Sequence, residues 1–103
     1  MNTSTPENGM PALHPGLFLQ EILQEMSMPQ ASFANTLGVS SMRISHVIRG
    51  KRPITADLAL RMGQALGQSP QYWMNLQACY DLKTAKANLA DTLRHIPLLQ
   101  PAA

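Results

Sequence analysis

The stretch Gln30–Arg52, QASFANTLGVSSMRISHVIRGKR, decides the fold of this chain. Counted from Gln30, the residues Phe33, Ala34 and Leu37 fall at i+3, i+4 and i+7, one face of a short helix. Gly38 follows the last periodic residue, where a left-handed backbone favours glycine. Val39 is placed to pack into the turn, and Ser40 to cap a second helix. In that helix Ile44, Val47 and Ile48 form the apolar stripe, leaving Ser41, Met42, Arg43, Ser45 and His46 to face outward. Gly50 ends it, and Lys51 and Arg52 follow at once. Two short helices joined by a turn of about four residues have the geometry that lays the second helix in the major groove of DNA.

Charge is distributed to match. Residues 1–37 carry Glu7, Glu21 and Glu25 and no Lys or Arg, whereas residues 38–56 carry Arg43, Arg49, Lys51 and Arg52 and no acid. The net charge is only +2. Phosphate attraction is local, however, and screened within about 10 Å, so clustering on one element matters more than the sum.

A chain of 103 residues makes one domain with a modest core. Aliphatic residues and seven Met dominate over few aromatics, which favours a small all-α bundle. No run of about 18 apolar residues is present to span a membrane. The start, MNTSTPENG, lacks the basic and apolar regions of a secretory signal. One cysteine, Cys79, cannot close an internal disulfide and suits a reducing cytoplasm; it is expected to be a small buried hydrophobe.

Outward from the central stretch, three segments are expected: a disordered 1–9, a domain over 10–86, and a C-terminal extension over 87–103. Pro15 opens helix 1, with Leu19, Ile22, Leu23 and Met26 on one face and Glu21 and Glu25 one turn apart on the other. Thr55 caps helix 4, which runs to about Leu66 with Leu58, Ala59, Met62 and Ala65 inward. Ser69 and Pro70 open helix 5, predicted to end near Lys83–Lys86. Asn88–His95 reads as a further helical turn or two. Ile96–Leu99 reads as a short strand or a loose tail, and as a strand it would pair with Met10–Leu13.

The pattern Gln30-x-x-Phe33-Ala34-x-x-Leu37-Gly38-Val39-Ser40-x-x-x-Ile44-Ser45-x-x-x-x-Gly50-Lys51 resembles the helix-turn-helix of the phage-repressor (XRE) family. Two flanking motifs narrow the likeness to HigA-type antitoxins, the VapI subfamily. They are His14-Pro15-Gly16, and Thr55-Ala56-Asp57-x-Ala59-x-Arg61 followed by Gly67-x-Ser69-Pro70-x-x-Trp73-x-Asn75-Leu76-Gln77-x-x-Tyr80-x-Leu82. The likeness covers roughly residues 10 to 83. It implies a five-helix lambda-repressor-like domain, a homodimer on a palindromic operator, repression of its own operon, and binding of a HigB-type ribonuclease toxin that cleaves mRNA. Two positions depart from the family. Pro29 stands where a capping Ser, Thr or Asn is usual, a loss of about 1 kcal/mol, and Ser32 stands where many relatives have Glu.

Site candidates follow from both readings. Ser41, Met42, Arg43 and His46 are the base-contact candidates. Arg43 leads because its fork matches guanine O6 and N7, and Met42 suits a thymine methyl. His46 is equally well read as an exposed polar residue of the helix. The resemblance assigns phosphate contacts to Gln30 and Ser40, with Ser45 beside them. Arg49, Lys51 and Arg52 add Coulombic phosphate contacts. Arg61 reads as structural. Trp73, Leu76, Gln77, Tyr80 and Leu82 form a broad face that closes the core, carries a two-fold dimer contact, or shares both roles. Glu21 and Glu25 make an acidic face suited to a basic toxin.

Catalysis finds little support. His14, His46 and His95 are far apart, no metal-ligand spacing occurs, and the glycines form no phosphate-binding loop. No catalytic residue, metal or cofactor is expected. Two other readings keep the fold and change the role: a stand-alone transcriptional regulator without a toxin, and a protein-interaction scaffold that has lost DNA binding.

Overall fold

The computed structural model describes residues 11–100, which form five helices in chain order. These are α1 (Pro15–Glu25), α2 (Gln30–Leu37), α3 (Ser41–Ile48), α4 (Ala56–Leu66) and α5 (Pro70–Arg94). Each boundary has a local cause. Pro occupies the first turn of α1 and of α5, where a missing N–H costs nothing. The side chains of His14, Ser40, Thr55 and Ser69 accept backbone N–H groups at the starts of α1, α3, α4 and α5. At α2 the N-cap position is Pro29 with no side-chain bond, and the helix nonetheless begins at Gln30. The C-terminal turns rest on Gly38, Gly50 and Gly67, each at positive φ.

One core joins these helices. Leu19 and Leu23 of α1, Phe33, Ala34 and Leu37 of α2, and Ile44, Val47 and Ile48 of α3 pack with Ile54, Leu58, Ala59, Met62 and Trp73. The apolar spacing in Gln30–Arg52 therefore marked the residues that are buried. α1 comes very close to α3: a Cβ on Gly16 would lie 2.0 Å from the Val47 carbonyl oxygen. Glycine is the one residue that permits this approach.

The C-terminal part of the chain differs from expectation in three ways. α5 does not stop near Lys83–Lys86 but continues unbroken to Arg94. Residues 83–94 contain no Pro or Gly, and Ala85, Ala87, Leu89, Ala90 and Leu93 are strong helix formers. Among the described residues there is no strand: Pro11–Leu13 and Pro97–Leu99 are irregular. The Pro11 carbonyl instead accepts from Lys83 Nζ at 3.3 Å. Cys79 is exposed rather than buried, because α5 turns Trp73 and Gln77 inward and Cys79 falls on neither their side nor the core's. The expected disorder of residues 1–9, and Met10 of the expected strand, lie outside the described residues.

Candidate nucleic-acid interface

Helix α3 is anchored by Ile44, Val47 and Ile48, all buried. At 100° per residue, this places Met42, His46 and Arg49 on the opposite side, with Ser41 and Ser45 next to them. Met42 is 65% exposed, and a large apolar side chain so open at a helix N-terminus has no packing role in the monomer. Ser40 accepts from the Arg43 N–H at 3.1 Å, which leaves its own hydroxyl proton to donate.

The turn after α3 is set by its backbone. Gly50 takes φ 76°, and the Lys51 and Arg52 N–H groups both donate to the His46 carbonyl, at 2.8 and 3.2 Å. That geometry presents Lys51 and Arg52, both exposed, directly after exposed Arg49. Among the described residues, none of these three cations is in an ion pair. Gln30 is exposed at the start of α2, and it lines the same surface groove as Ile48, so the two helix ends are neighbours.

Arg43, the leading base-contact candidate, has partners within the protomer. It sits on the flank of α3 that faces α4. Its Nη2 donates to Thr55 Oγ1 at 3.0 Å, and its Nη1 lies 3.6 Å from Asp57 Oδ1. Asp57 also accepts from Arg61 Nε at 2.8 Å. Arg61 in turn donates to the Leu37 carbonyl at 2.7 Å, closing the exposed end of α2, which is the structural role expected of it. Thr55 and Asp57 were not among the site candidates. The Asp57–Arg61 pair is legible as an i, i+4 spacing, but the link to Arg43 joins residues 12 apart across a loop and left no periodic trace.

The face expected on α5 divides in two. Trp73 is fully buried, and its Nε1–H donates to Gln68 Oε1 at 2.9 Å. Gln77 is 5% exposed; it accepts from the Ile54 N–H at 2.8 Å and donates to Asp81 at 2.9 Å. Both side chains are committed inside the protomer and cannot themselves meet a partner. Leu76 and Tyr80 are half-buried, with the Tyr80 ring edge-on to His14 at 4.9 Å. Leu82 is 71% exposed on the side opposite Trp73. Helical rotation puts Ala78, Ala85, Leu89 and Leu93 on the same side as Leu82. On α1, Glu21 and Glu25 are exposed, one turn apart.

His14 holds the opposite end of the interface loop in place. Its Nδ1 accepts from the Gly16 N–H at 2.9 Å, and its ring lies 3.6 Å from where a Cβ on Gly50 would stand. Burial lowers its pKa below the usual 6.5, against the opposing pull of a hydrogen bond to the Arg52 backbone and of the Asp81 carboxylate.

A helix-turn-helix family model matches residues 19–73. Over 99 residues the chain is 40% identical to virulence-associated protein I of Dichelobacter nodosus, covering 95% of this chain and 92% of that one. Among solved structures, a HigA-family addiction module antidote protein from Coxiella burnetii superposes with a TM-score of 0.85 at 33% identity, covering 87% of this chain and all of the other. The Pseudomonas aeruginosa antitoxin HigA, solved with the higBA promoter, gives 0.81 at 40% identity, over 85% and 99% of the two chains.

Proposed function

The chain belongs to the HigA/VapI antitoxin branch of the XRE-type helix-turn-helix family, and from that membership we propose that it is the antitoxin and autorepressor of a toxin–antitoxin operon. In this reading it binds a two-fold operator as a homodimer. Ser41, Met42, Arg43 and His46 meet base edges. Gln30, Ser40, Ser45, Arg49, Lys51 and Arg52 meet phosphates. The observation that carries the reading is the outward face of α3 followed by three exposed cations with no carboxylate partner among the described residues. Uncommitted cations beside a groove-sized helix release counterions from DNA on binding.

The dimer contact in this reading is the outward side of α5, through Leu82, Leu89 and Leu93, whereas Leu76 and Tyr80 lie on the Trp73 side and pack toward the protomer. Trp73 and Gln77 support it from behind. The same protein neutralises a HigB-type ribonuclease, with Glu21 and Glu25 of α1 facing the basic toxin.

Binding to DNA from the promoter of its own operon, followed across a salt series, tests the DNA part. Each lost Lys or Arg phosphate contact lowers the salt slope by about 1, so a Lys51→Ala/Arg52→Ala double variant is expected to lower it by about 2 and to weaken all sequences alike. An unchanged slope removes these residues from the interface. Co-purification with the product of the adjacent gene tests the toxin part, and loss of that complex on charge reversal of Glu21 and Glu25 tests the surface. A protein that binds its promoter and captures no neighbour is a stand-alone regulator.

A further inference from the structure

We propose that Asp57 and Thr55, at the start of α4, are positioning residues for sequence recognition: they hold the Arg43 guanidinium on the α4 flank of the recognition helix so that it reads one base position in each half-site. The inference rests on the operator-binding reading above and adds to it two residues outside the helix-turn-helix.

The argument begins with how rigidly the two anchors are themselves held. Thr55 Oγ1 accepts from the Leu58 N–H at 3.2 Å as the cap of α4, and its second lone pair takes Arg43 Nη2 at 3.0 Å. Asp57 is fixed by Arg61 at 2.8 Å, and Arg61 by the Leu37 carbonyl at 2.7 Å. A continuous polar chain therefore runs from the end of α2, through α4, to the side chain of Arg43 on α3. An unanchored arginine in the same place would lose its rotamer freedom on docking and would be free to swing to a phosphate. One already held loses less, and its direction is set. Of the five guanidinium N–H donors, Thr55 takes one, which leaves donors for guanine O6 and N7.

The charge pattern agrees. Asp57 puts a carboxylate, 58% exposed, beside Arg43 of α3, the helix that meets DNA in the operator-binding reading. A purely electrostatic binder gains nothing from that charge. A sequence reader gains from it, because the acid keeps Arg43 at the α4 flank and off the phosphates. With Arg43 and Arg61 the cluster still carries a net positive charge.

Binding-site selection from a randomised duplex pool tests this with wild type, Arg43→Ala, Asp57→Asn, Asp57→Glu and Thr55→Ser. The wild type is expected to select a two-fold site. Arg43→Ala and Asp57→Asn are expected to lose preference at the same single position of each half-site, by about tenfold or more, while the other positions keep theirs. Asp57→Glu and Thr55→Ser, which retain the carboxylate and the hydroxyl, are expected to keep the preference. Affinity for a scrambled duplex should not fall in Asp57→Asn, since the change removes negative charge. If Asp57→Asn selects the wild-type site unaltered, or weakens every position in parallel with a lower melting temperature, Asp57 is only a structural partner and the inference is overturned. A wild type that selects no sequence at all overturns the operator reading, and this one with it.

Discussion

Ser27 carries an avoidable strain. It is the residue outside glycine with positive φ among those described, 52°, and it ends α1 with its N–H on the Gln24 carbonyl and the Met28 N–H on the Leu23 carbonyl. A left-handed conformation costs an L-residue about 1–2 kcal/mol. Ser27→Gly is therefore expected to raise stability by about 1 kcal/mol, or about 4–8 °C in melting temperature for a domain of this size; no rise in a thermal melt would show that the Ser27 side chain compensates. His14 couples stability to pH. Its folded pKa is lowered by burial, so the neutral ring is favoured in the native state. Protonation would also turn the Nδ1 that accepts from Gly16 into a donor. The unfolded chain binds the proton first, so this contribution is complete above about pH 6.5 and is lost as pH falls from there through the lowered folded value. Urea midpoints measured from pH 7.5 down to 5 should decline more steeply for wild type than for His14→Asn, which retains a capping acceptor.

At the scale of elements, two close approaches set the frame on which α3 is displayed. Gly16 lets α1 reach the backbone of α3, and Gly63 lets α4 reach the Gln68 carbonyl, where a Cβ would stand at 2.6 Å. Gly16→Ala must push α1 off α3, and overpacking of this kind costs about 1–3 kcal/mol. The expected result is a lower melting temperature together with weaker DNA binding, since the displaced α1 also carries His14 and with it the loop of Gly50–Arg52. A fully stable Gly16→Ala protein would mean the helices have slack that the structure does not show. α5 is an element with two unlike ends. Its first half is held to the core by Trp73 and Gln77, and its second half, from Leu82 onward, presents Leu89 and Leu93 at 45% and 43% exposure.

That second half matters at the scale of the molecule. A helix with an apolar stripe facing water is explained by a partner more readily than by the monomer. If α5 carries the proposed two-fold contact, Leu89→Asp is expected to convert that dimer to a monomer in sedimentation, and to reduce operator affinity by far more than binding to a half-site duplex. A dimer that survives the substitution places the two-fold contact elsewhere. In the proposed dimer the helix-turn-helix alone cannot fix the distance between two recognition helices; the pairing surface would.

Local rules made much of this protein legible. Pro15 with Leu19 and Leu23, the spacing of Phe33, Leu37, Ile44, Val47 and Ile48, the glycine at 38 and the caps at Ser40 and Thr55 locate α1 to α4 to within a residue or so, and Ser69 the start of α5, because periodicity, capping and left-handed turns act over a few residues. The basic cluster that follows α3 was equally visible, since it is contiguous in the chain. The tertiary structure alone decided which side chains remain available. The sequence leaves Trp73 and Gln77 open to core, interface or shared roles, and both are buried, Gln77 with its side-chain oxygen accepting from the Ile54 N–H 23 residues away. Arg43 is legible as the leading base-contact candidate, but its tether to Thr55 and Asp57 is not. Cys79 looked buried and is exposed. A side chain's partners are set by how whole helices pack, and that information is not local to any stretch of the sequence.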